Sequence, residues 1–317
     1  MTHDSFSVSE EIVNKFELEN NVKVNFLKSG DTGTALNKAI LSKGNPLADV
    51  FYGVDNTFLS RALEEDIFEN YNSPLLKKIN PSFILDPKNR ALPVDFGDVC
   101  LNYDKDYFEL ENLKPPETLE DLLNPDYKSL LVVQNPATSS PGLAFLFTSI
   151  ANYGPNEYIN FWKRLVENDV LIVNDWETAY YSEFSGSSGR GPRPIVVSYD
   201  SSPAFEVLYA ETPIEEPPTA AIVNKNTCFR QIEFVGILKG GKNRYHAEKW
   251  IDYMLSPSYQ ADIPLQMFVF PVNSEAQLDG IFDNFLILPE EPAFINPSEI
   301  AANREKWIRD WTEAVLR

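Results

Sequence analysis

Three short apolar runs, each passing straight into a polar or aromatic turn and then a helical pattern, constrain this chain more than anything else in it. The runs are Ser129-Leu-Leu-Val-Val133, Leu171-Ile-Val173 and Ile195-Val-Val-Ser198. The segments that carry the turns are Gln134-Asn-Pro-Ala-Thr-Ser-Ser-Pro-Gly-Leu143, Asn174-Asp-Trp-Glu-Thr-Ala-Tyr-Tyr181 and Val197-Ser-Tyr-Asp-Ser-Ser-Pro-Ala-Phe205. An apolar run bounded by turn residues reads as a buried strand. Strands alternating with helices imply a parallel, crossover-connected sheet. In open α/β sheets, ligands bind at the carboxyl ends of the strands. No HExxH, Walker or GxSxG pattern accompanies these turns. Small hydroxyls and large aromatics stand there instead, which points to holding a small, flat, cationic molecule.

A chain of 317 residues exceeds one ordinary core and suits two lobes. Its net charge of −20 opposes nucleic acid and anionic membrane surfaces as partners. The same charge is compatible with a cationic ligand, although acidic surfaces more often serve solubility. No stretch approaches the roughly 20 apolar residues of a membrane span. Met1-Thr-His-Asp leads at once into a helical pattern, so an export signal was removed, lost to a wrong start site, or never present. Cys100 and Cys228 are the only cysteines; so far apart, they give neither metal-site spacing nor a disulfide framework, and leave the compartment open.

The N-terminal third reads helix (Ser7 to Asn20), strand (Val22-Lys-Val-Asn-Phe26), helix (Ala35 to Ser42) and strand (Leu47 to Val54). Ala91 to Tyr103 is an extended run carrying Pro and Gly, suited to a connection between lobes. Thr118 to Leu123 reads as a short helix, and Pro141 to Tyr153 and Glu157 to Asn168 as longer ones. Thr212-Pro-Ile-Glu-Glu-Pro-Pro-Thr219 is a second crossing segment. Arg244 to Leu255 and Ser298 to Leu316 are helical, with Trp307 and Trp311 spaced i, i+4 as core. The partition is lobe I over 1–95 and 222–317 and an inserted lobe II over 96–221, with a ligand cleft between the lobes. Hinges fall near 95–103 and 213–221, and closure around a ligand is the expected motion.

Thr138, Ser139 and Ser140 precede Pro141-Gly142 at a helix start. Serine is a good N-cap and Pro suits the first turn. The same features make an anion site, since free N–H groups and the helix dipole point outward. A cap needs one hydroxyl; here there are three in a row. Trp176, Tyr180 and Tyr181 follow a strand end, with Asp175 and Glu177 beside the indole. A flat cation over an indole gains about 1–2 kcal/mol when desolvated. Tyr199 and Phe205 flank Asp200-Ser-Ser-Pro, and Phe268 stands in a run that also reads as a buried strand. Asp4, Asp31 and Asp95 are candidates to answer a cation. Asp31 precedes a helix, where capping is the default. Asp95 lies in an apolar run, where a lone acid needs a partner.

These features run through Asp4-Ser-Phe6, Ala48-Asp-Val50 with Gly53-Val-Asp-Asn56, Pro93-Val-Asp-Phe-Gly97 with Tyr103-Asp-Lys105, and Asn135 to Leu143. They continue through Trp176-Glu-Thr-Ala-Tyr180, Ser198-Tyr199 with Ser202-Pro-Ala-Phe205, Met254-Leu-Ser-Pro257 with Ile263-Pro264, Phe270-Pro-Val272 and the Trp307/Trp311 tail. In that order and spacing the chain resembles the thiamine-binding proteins of ABC importers, on the type II periplasmic-binding fold. The resemblance implies a non-enzymatic, monomeric solute-binding protein, periplasmic or extracellular, free or lipid-anchored, that delivers its ligand to a membrane permease. No cofactor is implied; the ligand would be thiamine, thiamine phosphate or thiamine diphosphate. Trp176 and Tyr199 match ring-stacking positions, Ser139 a hydroxyl- or phosphate-side contact and Asp31 an acidic contact. Three positions depart from the pattern: His3 and Phe205 replace Tyr, and Phe268 replaces Trp. The family also carries an export signal and a first strand ahead of Asp-Ser-Phe. The expectation is therefore an upstream strand whose absence leaves an unpaired gap in the first lobe.

Rival readings are a ferric-ion binder using Tyr180, Tyr181, Tyr199 and a histidine (His3 or His246), or a binder of another small cation, amine or phosphonate. A thiaminase-like enzyme with Cys100 as nucleophile is a third, although Asp98 on the same strand face would raise the thiol's pKa.

Overall fold

The computed structural model describes residues 1–187, 191–278 and 280–317. In chain order the first elements are α1 (Glu10–Asn20), α2 (Thr32–Leu41), β1 (Val50–Asp55), α3 (Leu59–Glu64), β2 (Phe68–Glu69), β3 (Leu92–Asp104) and α4 (Lys105–Leu110). Next come β4 (Leu131–Gln134), α5 (Ser140–Glu167), β5 (Leu171–Val173), β6 (Ile195–Tyr199), α6 (Ser202–Leu208) and β7 (Thr219–Ile222). The last are β8 (Phe229–Leu238), α7 (Arg244–Met254), α8 (Pro257–Met267), β9 (Phe270–Pro271), α9 (Ile281–Phe285) and α10 (Pro297–Val315).

These elements form two compact units, Met1–Gly97 with Gln231–Asp279, and Asp98–Arg230 with Gly280–Arg317. The division falls inside β3, within the first expected crossing, and inside β8. The Pro-rich segment lies wholly in the second unit, where β7 pairs antiparallel with β3. Residues 280–317, grouped with lobe I on sequence, also belong to the second unit, because α10 packs on α5.

In the first unit β1 runs antiparallel to β8 from Val50↔Ile237 to Asp55↔Glu233. The register slips at Gly53, which has φ +102°, and a Cβ there would stand 2.4 Å from the His3 ring. Only glycine takes that backbone and admits that ring without strain. Helices α1, α7 and α8 pack together, with Phe16 and Trp250 edge to face at 4.9 Å.

The expected strand over 22–26 does not form. Thr2 N–H donates to the Leu27 carbonyl, Ser29 N–H to that of Thr2, and Tyr52 N–H to that of Met1. Beyond those bonds the stretch borders an open groove of about 720 Å³ lined by Phe16, Leu47, Trp250 and Met254. Alternation without a neighbouring ladder does not make a strand.

In the second unit β6 pairs antiparallel with β3, and β4 lies parallel to both β6 and β5. Helix α5 covers β4 and β6, and α10 covers α5. Trp162 and Trp311 meet edge to face at 5.4 Å, and Trp307 packs on Phe147 at 5.8 Å, so the two tail tryptophans are core as expected. Each such ring contributes on the order of 4–6 kcal/mol of gross burial. The two expected helices over 141–168 meet at Gly154 (φ 77°) and Pro155, where the ladder breaks. The expected helix over 118–123 is only a single tight turn, Asp121–Leu123. The Asp121 carboxylate instead accepts from the N–H groups of Glu117 and Thr118.

Cys100 on β3 and Cys228 just before β8 form a disulfide with Cα atoms 4.3 Å apart, despite 128 residues of separation. Sequence spacing gave no sign of it. Cys100 therefore carries no thiolate, which removes the nucleophile of a thiaminase-like reading. A loop of this length favours the folded state by about 4–5 kcal/mol in the chain-entropy account. The Cys100→Ser/Cys228→Ser double variant should lose roughly 2–5 kcal/mol of stability. Equal unfolding midpoints for the variant and the oxidised protein in denaturant titration would refute that role.

Candidate functional site

Because β6, β4 and β5 are parallel neighbours, their carboxyl ends share one edge of the second unit's sheet. The three turns singled out in the sequence all lie along that edge.

After β4, the Asn135 N–H donates to the Val173 carbonyl (2.7 Å) and Thr138 Oγ1 to that of Asn174 (2.6 Å). The turns after β4 and β5 are thus tied together. Ser139 has the extended backbone of an N-cap, but its Oγ makes no cap bond. Ser139 is 0% exposed and Ser140 1%, and among the described residues neither hydroxyl has a hydrogen-bond partner. Gln134 Nε2 donates to the Val197 carbonyl at 2.8 Å, while its Oε1 is unpartnered among the described residues. A Cβ on Gly142 would stand 2.4 Å from the Gln134 carbonyl oxygen, so glycine lets the first turn of α5 press on the end of β4.

After β5, the indole of Trp176 is 7% exposed. It stacks on Tyr180 at 4.9 Å and 14°, and Tyr181 meets it edge-on at 5.4 Å. Trp176 Nε1 donates to Ser198 Oγ (3.0 Å), which shares a 2.9 Å bond with Ser202 Oγ. The Tyr180 hydroxyl donates to the Glu206 carboxylate. Burial, then the Glu206 charge, pushes that phenol well above its ordinary range, and burial raises Glu206 as well. The helix expected to open at Trp176 does so, widening into a π turn over Thr178–Glu183.

At the end of β6, Tyr199 pairs with Val99, and its carbonyl accepts from Asn102 Nδ2 (3.1 Å). Phe205 is buried on α6 against Tyr209 and Phe282. Asp200 follows Tyr199: its N–H donates to the Asp98 carbonyl (2.9 Å), and its Oδ1 accepts from the Asp98 N–H (3.3 Å). Arg230 grips Asp98 through Nε (3.1 Å) and Nη2 (2.5 Å).

The other expected site residues lie in the first unit. Asp31 caps α2 by accepting from the Thr32 N–H (2.8 Å). Asp4 is exposed and accepts from the Gly30 N–H (2.8 Å). Phe268 ends α8 in the left-handed conformation rather than lying in a strand. Asp95 is fully buried and finds its partners in Tyr52, whose hydroxyl donates to it at 2.6 Å, and in Glu233. The same hydroxyl lies 3.1 Å from Glu233. His3 Nε2 stands 3.5 Å from Glu233, but burial lowers the imidazole's pKa to about 4, so it is neutral.

Residues 45–284 match the model of the bacterial extracellular solute-binding protein family. This chain belongs to that family. The thiamine-binding periplasmic protein of Brucella suis biovar 1 is 30% identical over 328 residues, covering 100% of this chain and 91% of that one. Its counterpart in Escherichia coli K12 is 29% identical over 321 residues, with 100% and 92% covered. A solved periplasmic thiamin binding protein superposes with a TM-score of 0.84 at 26% identity, covering 100% of this chain and 95% of that one.

Several groups of this solute-binding protein were not picked out as site residues on sequence: Gln134, Ser198, Ser202 and Glu206 at the strand edge, and Tyr52 and Glu233 around Asp95. Ser198 and Ser202, spaced i, i+4 across a strand-to-helix turn, carried the one usable signal. Burial raises the Asp95 carboxyl to about 7, and Glu233 is raised in the same way. A carboxyl whose folded pKa exceeds its unfolded one binds its proton more tightly when folded. Its contribution is complete below about pH 4 and is lost as pH rises toward 7. From pH 5 to 8 the wild type should therefore lose stability relative to Asp95→Asn, by on the order of 1–2 kcal/mol. Thermal melts of the two proteins test this, and parallel stability curves would exclude a proton on Asp95.

Proposed function

We propose that this solute-binding protein captures thiamine or a thiamine phosphate outside the cytoplasm, as a monomer, and delivers it to a membrane permease without chemical change. The observation that carries this reading is the strand-end edge. Two buried serine hydroxyls without partners among the described residues stand at the start of α5, on the same strand-end edge as a stacked Trp176–Tyr180 pair and Tyr199. A hydrophobic box with a few placed polar groups is the usual chemistry of small-molecule sites. In this reading Trp176 and Tyr199 bear on the aromatic rings, with Phe205 as packing behind them. Thr138, Ser139 and Ser140 hold the hydroxyl or phosphate end, where helix N–H groups favour an anion. The names of the two relatives and of the solved neighbour support the ligand class. The Cys100–Cys228 disulfide suits an oxidising compartment.

Calorimetric titration of ligand-free protein with thiamine, thiamine phosphate and thiamine diphosphate tests the reading. One-to-one binding to at least one of them is the expected result, and no heat with all three would end it. Ser139→Ala should weaken the phosphorylated ligand more than thiamine if that helix start holds phosphate. Trp176→Ala should cost about 2 kcal/mol or more of binding in a variant shown by its melt to be folded. An unchanged affinity would make the indole purely a packing group.

A further inference from the structure

At the carboxyl end of β6, two buried carboxyls face one guanidinium. Asp98 on β3 is buried and held bidentate by Arg230. Asp200 is 1% exposed, donates its N–H to the Asp98 carbonyl and accepts the Asp98 N–H at Oδ1, and has an Oδ2 with no hydrogen-bond partner among the described residues. The charged groups that face Asp200 are Asp98 from β3 and Arg230 from β8. Arg230 balances one negative charge, so a second, ionised carboxyl beside Asp98 would be buried without a counter-charge. Asp200 follows Tyr199 directly, at the strand edge where the function above places the ligand's aromatic rings, one of which, the thiazolium, carries the positive charge.

We propose, resting on that reading, that Asp200 is the charge-matching residue of the site: it holds a proton in the free protein and releases it to solvent when a cationic ligand binds. The neutral acid becomes a carboxylate paired with the ligand's positive charge, and one proton passes to the buffer. Burial, and then the charge of Asp98, lifts the Asp200 carboxyl to about 8, which keeps it protonated near neutral pH. The ligand cation supplies the counter-charge that Asp200 lacks and reverses that preference.

Calorimetry of the wild type with thiamine, in buffers of different ionisation enthalpy near pH 7, reads the protons exchanged. Release of close to one proton per thiamine is expected, with affinity rising by up to about tenfold per pH unit below 8. Asp200→Asn should remove both the release and this pH dependence. A neutral thiamine isostere, with carbon in place of the thiazolium nitrogen, should bind without release. Thiamine binding to the wild type without proton release overturns the inference and leaves the ligand assignment standing. No binding of thiamine or its phosphates overturns the ligand assignment and this inference with it.

Discussion

The bidentate pair of Arg230 with Asp98 sits two residues from the Cys100–Cys228 disulfide on each of the two strands that enter the second unit. One is a charge pair and the other a covalent bond, and together they fix β3 against the start of β8. Val99, between Asp98 and Cys100, pairs with Tyr199, and the Asp98 carbonyl accepts from the Asp200 N–H. The end of β6 is thus placed from β3. Ser198 and Ser202 follow from that placement, and the indole of Trp176 is oriented by its bond to Ser198. Tyr180 stacks on that indole and reaches Glu206. A chain of short-range contacts therefore runs from the crossing strands to the ring that would face a ligand.

The polar groups along this edge fall into two kinds. Ser198, Ser202 and Trp176 Nε1 are satisfied by one another and the Tyr180 hydroxyl by Glu206, and such satisfied networks fix geometry. The Ser139 and Ser140 hydroxyls, Gln134 Oε1 and Asp200 Oδ2 are buried without a partner among the described residues. Leaving a buried polar group unsatisfied costs about 1–3 kcal/mol each. The satisfied network holds the Trp176 and Tyr180 side chains, while the unsatisfied atoms belong to residues at the ends of β4 and β6. Fixed rings and polar groups lacking partners at neighbouring strand ends are what a ligand with a flat body and a polar end requires.

The strand-turn-helix order of the second unit was legible because apolar runs such as Ile195-Val-Val-Ser198 end abruptly in polar turns, a local signal. Its edge was legible for the same reason: turn chemistry alone set Trp176, Tyr199, Ser139 and Ser140 at strand ends, where they stand. Groups whose importance lies in a distant neighbour were not. Cys228 meets Cys100 and Arg230 meets Asp98 only once β3 and β8 come together, and no local pattern encodes that. Asp95 showed that an acid in an apolar run needs a partner, but Tyr52 and Glu233 lie on other strands. The alternation of 22–26 misled because it reports a face, and a strand also needs a neighbour.

The buried acids share one physical logic in both units. Asp95 and Glu233 are raised by burial around a single phenol, and Asp200 is raised by burial and then by Asp98. With a net charge of −20, the chain has acids in excess and few cations to place inside. Asp98 takes Arg230 and Asp86 takes Arg90, whereas Asp95, Glu233 and Asp200 are cheaper to keep protonated than to pair. In the first unit Asp95 and Glu233 share the Tyr52 hydroxyl, with Asp95 Oδ1 unpartnered among the described residues, and their protonation bears on stability. In the second, Asp200 keeps one oxygen unanswered beside the aromatic edge, so its protonation state is open to whatever charge arrives there.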